Sequence, residues 1–111
     1  MSSKKYEVLL TSSAERDLES IYDHIANSDS LVRANYVLDQ LTETCKGLSR
    51  FPNRGICPHE LVALGLHNYR QTFFRPYRVI YEVVDRFVYV HLIVDGRRNM
   101  QVLLAQRLLS H

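Results

Sequence analysis

Residues 77–85 have the sequence YRVIYEVVD, in which the odd-numbered and the even-numbered residues form two alternating sets of side chains. Most of these side chains are β-branched or aromatic. A period of two in residues that favour an extended backbone predicts a β-strand. The neighbouring residues 67–75 and 88–94 have the same character, and short turns separate the three runs. Strands this close in sequence predict an antiparallel meander in the second half of the chain.

Upstream of this meander, the apolar residues recur at helical spacing. Residues 6–11 predict a first strand, and a helix follows from Ser12, which has the spacing of a capping box with Glu15. A second helix carries apolar residues three and four positions apart, which predicts packing against the first helix as a helical hairpin. This heptad seam consists of Leu31, Ala34, Leu38, Leu41, Cys45 and Leu48.

The segments around the strands are less regular. Pro52 ends the second helix, residues 52–60 predict a loop, and residues 61–64 fit either a short strand or more of that loop. After the last strand, Asn99 is placed to cap a final helix. The predicted order is β-α-α-β-β-β-α, an α+β fold in which an antiparallel sheet packs against the helical hairpin, with a C-terminal helix.

The composition is that of an ordinary globular domain. The 111 residues are 46% hydrophobic and 23% charged, which predicts a single domain over residues 1–111. No apolar run approaches the ~18–20 residues of a membrane span and no signal sequence precedes the first strand, so we expect a cytoplasmic protein. The five histidines lack HxxxH or HxH spacing, and no GxGxxG or P-loop occurs. We therefore expect no metal and no cofactor.

Charge is distributed unevenly, although the net charge is only +2. Residues 1–49 contain five basic and eight acidic residues, whereas residues 50–111 contain four acidic residues and nine basic ones, all arginine. Guanidinium groups match phosphates and carboxylates in bidentate geometry. The second half therefore predicts either a surface for an anionic partner or an ordinary solvated basic surface.

Five short strings follow one another in a characteristic order across nearly the whole chain. They are AERDL at 14–18, LxxFP at 48–52, NYR at 68–70, YRVIYEV at 77–83 and VDGRR at 94–98. Together they resemble the RelE/ParE superfamily of type II toxin–antitoxin toxins. The resemblance implies a RelE/ParE-like fold and one of two activities. RelE-type toxins cut mRNA on the ribosome, whereas ParE-type toxins act on DNA gyrase.

The residues that match RelE-type toxins are cations, and the proton-transfer groups do not match. Metal-free RNA cleavage needs a base, an acid and cations that stabilise charge on the phosphate. The resemblance puts Arg78 at the phosphate-binding arginine and Arg98 at the arginine after the last strand. The lysine-rich strand of those toxins is replaced by residues 69–73, which lack lysine, and Leu104 stands near the expected C-terminal tyrosine. His91 is the best remaining candidate for catalysis, because histidine titrates near neutral pH.

The resemblance therefore favours the ParE-like branch, a gyrase inhibitor without catalytic residues. A ribosome-dependent mRNA endonuclease is the alternative, and a non-toxic relic that only binds an antitoxin is a third hypothesis. In the gyrase hypothesis a basic face contacts the target, and Arg97 and Arg98 contribute to it just before a helix N-terminus. The predicted face comprises Arg70, Arg78, Arg97 and Arg98.

The resemblance also implies a cognate antitoxin, of a ParD-like, ribbon-helix-helix type, with an acidic tail that folds on the toxin. Through this partner the toxin would form a hetero-oligomer and reach DNA indirectly. The helical hairpin and the sheet edge are expected to supply the groove. Candidate contacts are Arg16, Tyr22, Arg33, Tyr36, Arg54 and Arg75, for which ordinary solubility is the alternative role.

Overall fold

The computed structural model describes residues 5–109 and confirms the α+β layout. One element is additional: a short helix lies where the sequence left residues 61–64 as strand or loop. In chain order the elements are β1 (Glu7–Leu10), α1 (Ser12–Ser28), α2 (Leu31–Gly47), α3 (His59–Ala63), β2 (Tyr69–Phe74), β3 (Tyr77–Val84), β4 (Phe87–Asp95) and α4 (Met100–Leu109). Within the described residues, no helix combines the length and apolar character needed to cross a membrane.

The four strands form one sheet in the order β1-β4-β3-β2. The meander β2-β3-β4 is antiparallel, as predicted, but β1 pairs with β4 in parallel, so the sheet is mixed and the expectation of an antiparallel sheet is wrong for this strand. Two-residue turns dictate the antiparallel pairing of neighbours, whereas the whole helical hairpin separates β1 from the meander. A long connection of this kind allows the parallel orientation.

Polar side chains start each long helix. Thr11 Oγ1 accepts a hydrogen bond from the Ala14 amide at 3.1 Å, so the N-cap of α1 is Thr11, and the capping box predicted at Ser12 is wrong by one residue. Ser30 caps α2 through the Arg33 amide at 3.0 Å. Asn99 caps α4 as predicted, since its Oδ1 accepts from the Val102 amide at 3.3 Å.

The hairpin α1–α2 covers one face of the sheet and forms the larger core. The buried positions of α2 are Ala34, Val37, Leu41 and Cys45, followed by Leu48. Val37 thus takes the buried place predicted for Leu38, and Leu31, the first residue of the predicted seam, is 62% exposed. The buried stripe of a single helix on a sheet repeats every 3.6 residues. A stripe predicted with a repeat of 3.5 residues therefore departs from the core-facing side of the helix at its start.

The helices α3 and α4 cover the opposite face of the sheet. The sequence predicted a C-terminal helix but did not predict that this face is covered. This second core joins Leu61 of α3 and Leu104 of α4 to the strand residues Ile80 and Leu92. A bulge in β4 makes the arrangement possible. Ile80 pairs with Leu92 but Tyr81 pairs with Val90, so His91 is an extra residue that shifts the alternation along the strand.

Beyond the end of β1, side chains instead of a strand form hydrogen bonds with the edge of β4. Asp17 of α1 accepts a hydrogen bond from the Ile93 amide at 3.0 Å through Oδ2. Arg107 of α4 donates to the His91 carbonyl at 3.1 Å and forms a bidentate pair with Asp17 at 2.8 and 3.0 Å. This pair fixes the C-terminal helix to both the first helix and the sheet.

Candidate functional site

Arg78 lines a cavity of about 460 Å³ between the meander and α3. Its guanidinium makes a bidentate ion pair with Glu60 at 2.9 and 3.0 Å, and its Nε donates to the Gln71 side chain at 2.9 Å. The Arg78 side chain is only 12% exposed. The hydrogen bond from Arg78 lowers the pKa of Glu60 against the opposing effect of partial burial. The arginine predicted to meet a phosphate is therefore already occupied by a carboxylate of the same chain.

Gly96 lets the chain pass close to this arginine at the end of β4. A Cβ atom on Gly96 would lie 2.8 Å from the Arg78 side chain and 3.2 Å from the Pro76 carbonyl oxygen. The Gly96 amide donates to that same carbonyl at 2.8 Å. The glycine of the VDGRR string thus has a steric role that the sequence alone did not reveal.

Arg97 and Arg98 follow β4, as predicted, but they face different surroundings. Arg97 is highly exposed and pairs with Asp95 through its guanidinium, with an Nε–Oδ1 distance of 2.9 Å. This pair holds the pKa of Asp95 below its usual value. Arg98 lines a second cavity, of about 400 Å³, between α1 and α4, together with the Asp17–Arg107 pair.

Arg70 does not share a face with Arg78. It is opposite Tyr81 in the register of β2 and β3, and Tyr81 belongs to the hairpin-side core, whereas Arg78 is opposite Phe73. Its Nη1 donates to the carbonyls of Asn53 and Gly55 at 3.1 and 2.6 Å. The alternation of a strand sends these two arginines to opposite sides of the sheet, so the four predicted residues do not form one basic face.

His91 is engaged at the bulge rather than in the Arg78 cavity. Its Nε2 lies 3.0 Å from Glu82 Oε1, and its ring contacts Tyr69 edge to face with centroids 5.5 Å apart. Burial and the nearby Glu82 carboxylate raise the pKa of Tyr69. His59, on α3, is the histidine that lines the Arg78 cavity. Leu104, near the position of the tyrosine that RelE-type toxins carry, is fully buried.

Two of the predicted antitoxin contacts meet at one place, the start of α2. Tyr36 is 47% exposed, with Arg33 stacked over its ring at 5.2 Å. The Tyr36 ring also meets Phe74 of β2 edge to face at 6.2 Å. Arginine and aromatic side chains are the residue types enriched at binding hot spots. This cluster of Arg33, Tyr36 and Phe74, next to the edge strand β2, is named the α2 patch.

The other predicted contacts are dispersed. The Tyr22 hydroxyl donates to Asn35 at 3.0 Å and so ties α1 to α2. Arg16 reaches Ser13 within α1 at 3.3 Å. Arg75 lies over Phe73 at 5.2 Å beside the Arg78 cavity, and Arg54 lies over Phe51 at 5.5 Å in the loop after α2. These residues lie on separate elements, namely α1, the loop after α2 and the turn between β2 and β3.

Two solved structures match the fold over most of the chain. A chain of the chromosomal ParDE toxin–antitoxin system from P. aeruginosa matches with a TM-score of 0.70 at 20% identity, covering 84% of this chain and 98% of that chain. A chain of the toxin–antitoxin complex RelBE2 from Mycobacterium tuberculosis matches with a TM-score of 0.63 at 22% identity, covering 85% and 94%. The fold is therefore that of RelE/ParE-like proteins.

Comparison of the sequence with models of protein families identifies the family within this fold. The model of the family described as the ParE toxin of the type II toxin–antitoxin system parDE matches residues 8–100. No protein of curated function matches significantly. The chain belongs to the ParE toxin family of type II toxin–antitoxin systems, which confirms the resemblance drawn from the five strings.

Proposed function

We propose that this toxin inhibits DNA gyrase rather than cleaving RNA. The observation that carries the proposal is the state of Arg78. A RelE-type ribonuclease needs this arginine to hold the phosphate, yet here Glu60 and Gln71 occupy its guanidinium in a largely buried position. An RNA phosphate would have to displace a bidentate carboxylate, and the separation of a largely buried ion pair is costly.

The proton-transfer residues support the same choice. A general base must reach the 2′-hydroxyl of a phosphate-bound nucleotide within hydrogen-bond distance. His91 pairs with Glu82 and does not line the cavity that contains Arg78. Leu104 brings an aliphatic side chain where a tyrosine would be needed. The proposed toxin is accordingly an inhibitor that binds its target and has no catalytic residues of its own.

A cognate antitoxin of the ParD-like, ribbon-helix-helix type is part of the proposal, with the two proteins forming a hetero-oligomer in the cytoplasm. The α2 patch is the place where an acidic tail would gain most, because Arg33 offers charge and Tyr36 offers exposed aromatic surface. The adjoining strand β2 is at the edge of the sheet. The same antitoxin would bring the complex to DNA.

Two assays with the purified toxin, run in parallel, test the proposed target. Inhibition of gyrase supercoiling with intact mRNA on purified ribosomes is the expected result. The double variant Arg97→Ala and Arg98→Ala should inhibit gyrase much less, since it removes the cations at the end of β4. Arg86→Ala, an exposed arginine in the turn between β3 and β4, is the matched control and should inhibit like the wild type.

Three other results would each contradict a part of this proposal. Full inhibition by the double variant would remove Arg97 and Arg98 from the target surface. Cleaved mRNA with unaffected supercoiling would establish the ribonuclease alternative, in which His91→Gln should abolish activity. Growth that continues under strong expression of the isolated chain would indicate a relic that only binds its antitoxin.

A further inference from the structure

A concentration of basic residues lies at the far end of α2, away from the Arg78 cavity. Two adjoining hollows, of about 450 and 400 Å³, share the residues Arg50, Phe51 and Arg54. Lys5 and Lys46 line the larger hollow, together with one acidic residue, Glu43. These five residues, Lys5, Lys46, Arg50, Phe51 and Arg54, are named the basic hollow.

Within the described part of the chain, the cations of the basic hollow outnumber the carboxylates near them. Among the described residues, no carboxylate lies within ion-pair distance of Lys5, Arg50 or Arg54. Lys46 has one loose partner, Glu43 at 3.9 Å, and both side chains are 71% exposed, a pairing that contributes little in water. The hollow therefore keeps a local excess of positive charge.

An exposed ring lies between the two hollows. Phe51 is 58% exposed, and Arg54 lies over its ring at 5.5 Å from the centroid. A phenylalanine this exposed buries little apolar surface and contributes little to folding. Aromatic rings next to cations are the combination with which proteins hold unpaired nucleotides, since every base presents a face that can stack.

Hydrogen bonds from side chains of the sheet fix the loop that carries Phe51 and Arg54. The buried hydroxyl of Tyr81 donates to the Pro52 carbonyl at 2.8 Å and accepts from the Gly55 amide at 3.1 Å. Arg70 adds two hydrogen bonds to carbonyls of the same loop. A side chain at Gly55 would collide with the Gln71 carbonyl oxygen at 2.2 Å, so glycine is required there. The hollow is thus a preformed surface, which lowers the entropic cost of binding.

We propose that the basic hollow binds single-stranded DNA, with phosphates on the lysines and arginines and a base on the Phe51 ring. An acidic peptide fits less well, because its carboxylates match the cations but present no planar ring to stack on Phe51, whereas each nucleotide offers both a phosphate and a base. The choice of DNA over RNA rests on the proposed gyrase target, which acts on DNA. The contact would be direct, in addition to any DNA contact made through the antitoxin.

Fluorescence anisotropy of the full chain with a labelled oligothymidine of about 10 nucleotides tests the proposal without gyrase or antitoxin. Binding should weaken as salt rises, and Arg50→Gln with Arg54→Gln should reduce the slope of log K against log salt by about 1.4, or about 0.7 per lost contact. Phe51→Leu should weaken binding by roughly 5- to 100-fold. Phe51→Trp, which keeps an aromatic face, should restore it.

The matched control is Arg86→Gln with Phe87→Leu, an exposed arginine next to a partly exposed ring at the turn between β3 and β4. This variant should bind the oligonucleotide like the wild type, and circular dichroism verifies that every variant is folded. The proposal is overturned if the wild type does not bind, if the control loses as much affinity as the hollow variants, or if RNA, duplex DNA or polyglutamate of equal charge binds more tightly. Because gyrase is absent, failure here leaves the supercoiling result intact.

Discussion

The arginines of this toxin occupy two contrasting environments. In three places an arginine has a carboxylate of its own: Arg78 pairs with Glu60, Arg97 with Asp95 and Arg107 with Asp17. In the basic hollow, Arg50 and Arg54 have none among the described residues. The comparison shows that the availability of a charge to a partner depends on its neighbours in the fold, which a count of charges along the chain does not reveal.

Burial accounts for the pairing of Arg78 and Arg107, whereas the exposed Arg97 is paired with Asp95, two residues before it in the chain. The Arg78 and Arg107 side chains are largely buried, where an unpaired charge would be costly. Arg50 and Arg54 lie in an exposed loop, where water solvates the guanidinium and no partner is needed. Substitutions should therefore have large effects on stability in the first environment and small effects in the second.

The largest effect is expected for Asp17→Ala. It leaves Arg107 without its partner and the Ile93 amide without an acceptor, and loss of one member of a buried pair costs about 3 kcal/mol. Urea unfolding at neutral pH measures the change. Asp17→Asn is the matched control, because its side-chain oxygen can still accept from Ile93, and it should lose less. Equal stability of the alanine variant and the wild type would mean that α4 is not held through this pair.

Glu60→Gln should have a smaller, pH-dependent effect. The pKa of Glu60 is lowered from its ordinary value of 4.5 in the folded protein by the hydrogen bond from Arg78. The pair therefore stabilises the folded state above that ordinary value, and this contribution disappears as the pH falls through the lowered pKa. The difference in free energy of unfolding between wild type and variant should be largest near neutral pH and shrink below about pH 4. A difference that is constant with pH would contradict the assigned role.

Arg97→Ala should change stability less than either of these variants. The pair with Asp95 is exposed to water on the arginine side, so solvent and salt screen it. Any difference in the urea midpoint from the wild type should vanish in high salt. A difference that persists at high salt would show that Arg97 contributes by packing instead.

The smallest effect is expected for Arg50→Gln. Among the described residues, this arginine has no carboxylate partner to lose, and its removal relieves repulsion among the cations of the basic hollow. The thermal midpoint should stay unchanged or rise slightly in low salt. Clear destabilisation would reveal a structural role for Arg50 and weaken the contrast between the two environments.

The sequence was sufficient for the elements whose signals are local. Alternation over residues 77–85 predicted β3, Ser12 and Asn99 marked two helix starts to within a residue, and the helical hairpin followed from its apolar spacing. The parallel pairing of β1 was missed because it depends on β4, about three-quarters of the chain away. Helix α3 was missed because five residues are too few for a period to be recognised.

The candidate site was harder to predict for the same reason. Arg78 stood out, but its partner Glu60 is 18 residues earlier, and no spacing rule connects the two. Arg107 meets Asp17 across 90 residues and was not among the predicted site residues. Arg70 was grouped with Arg78 although the alternation of adjacent strands separates them. Contacts of this kind depend on the register of the sheet, which the sequence alone did not supply.

The side-chain cover on β4 also affects how the molecule can associate with others. An uncovered strand edge offers amide and carbonyl groups to any passing chain and is a common start of aggregation. On this side of the sheet, β1 is only four residues long, and beyond it Asp17 and Arg107 already bind the Ile93 amide and the His91 carbonyl. At the other edge, the loop residue Ile56 already accepts a hydrogen bond from the Gln71 amide at 2.9 Å, and the rest of the six-residue β2 is the better template. New strands should therefore add on one side alone, an asymmetry that favours pairing with a single partner over growth into fibres.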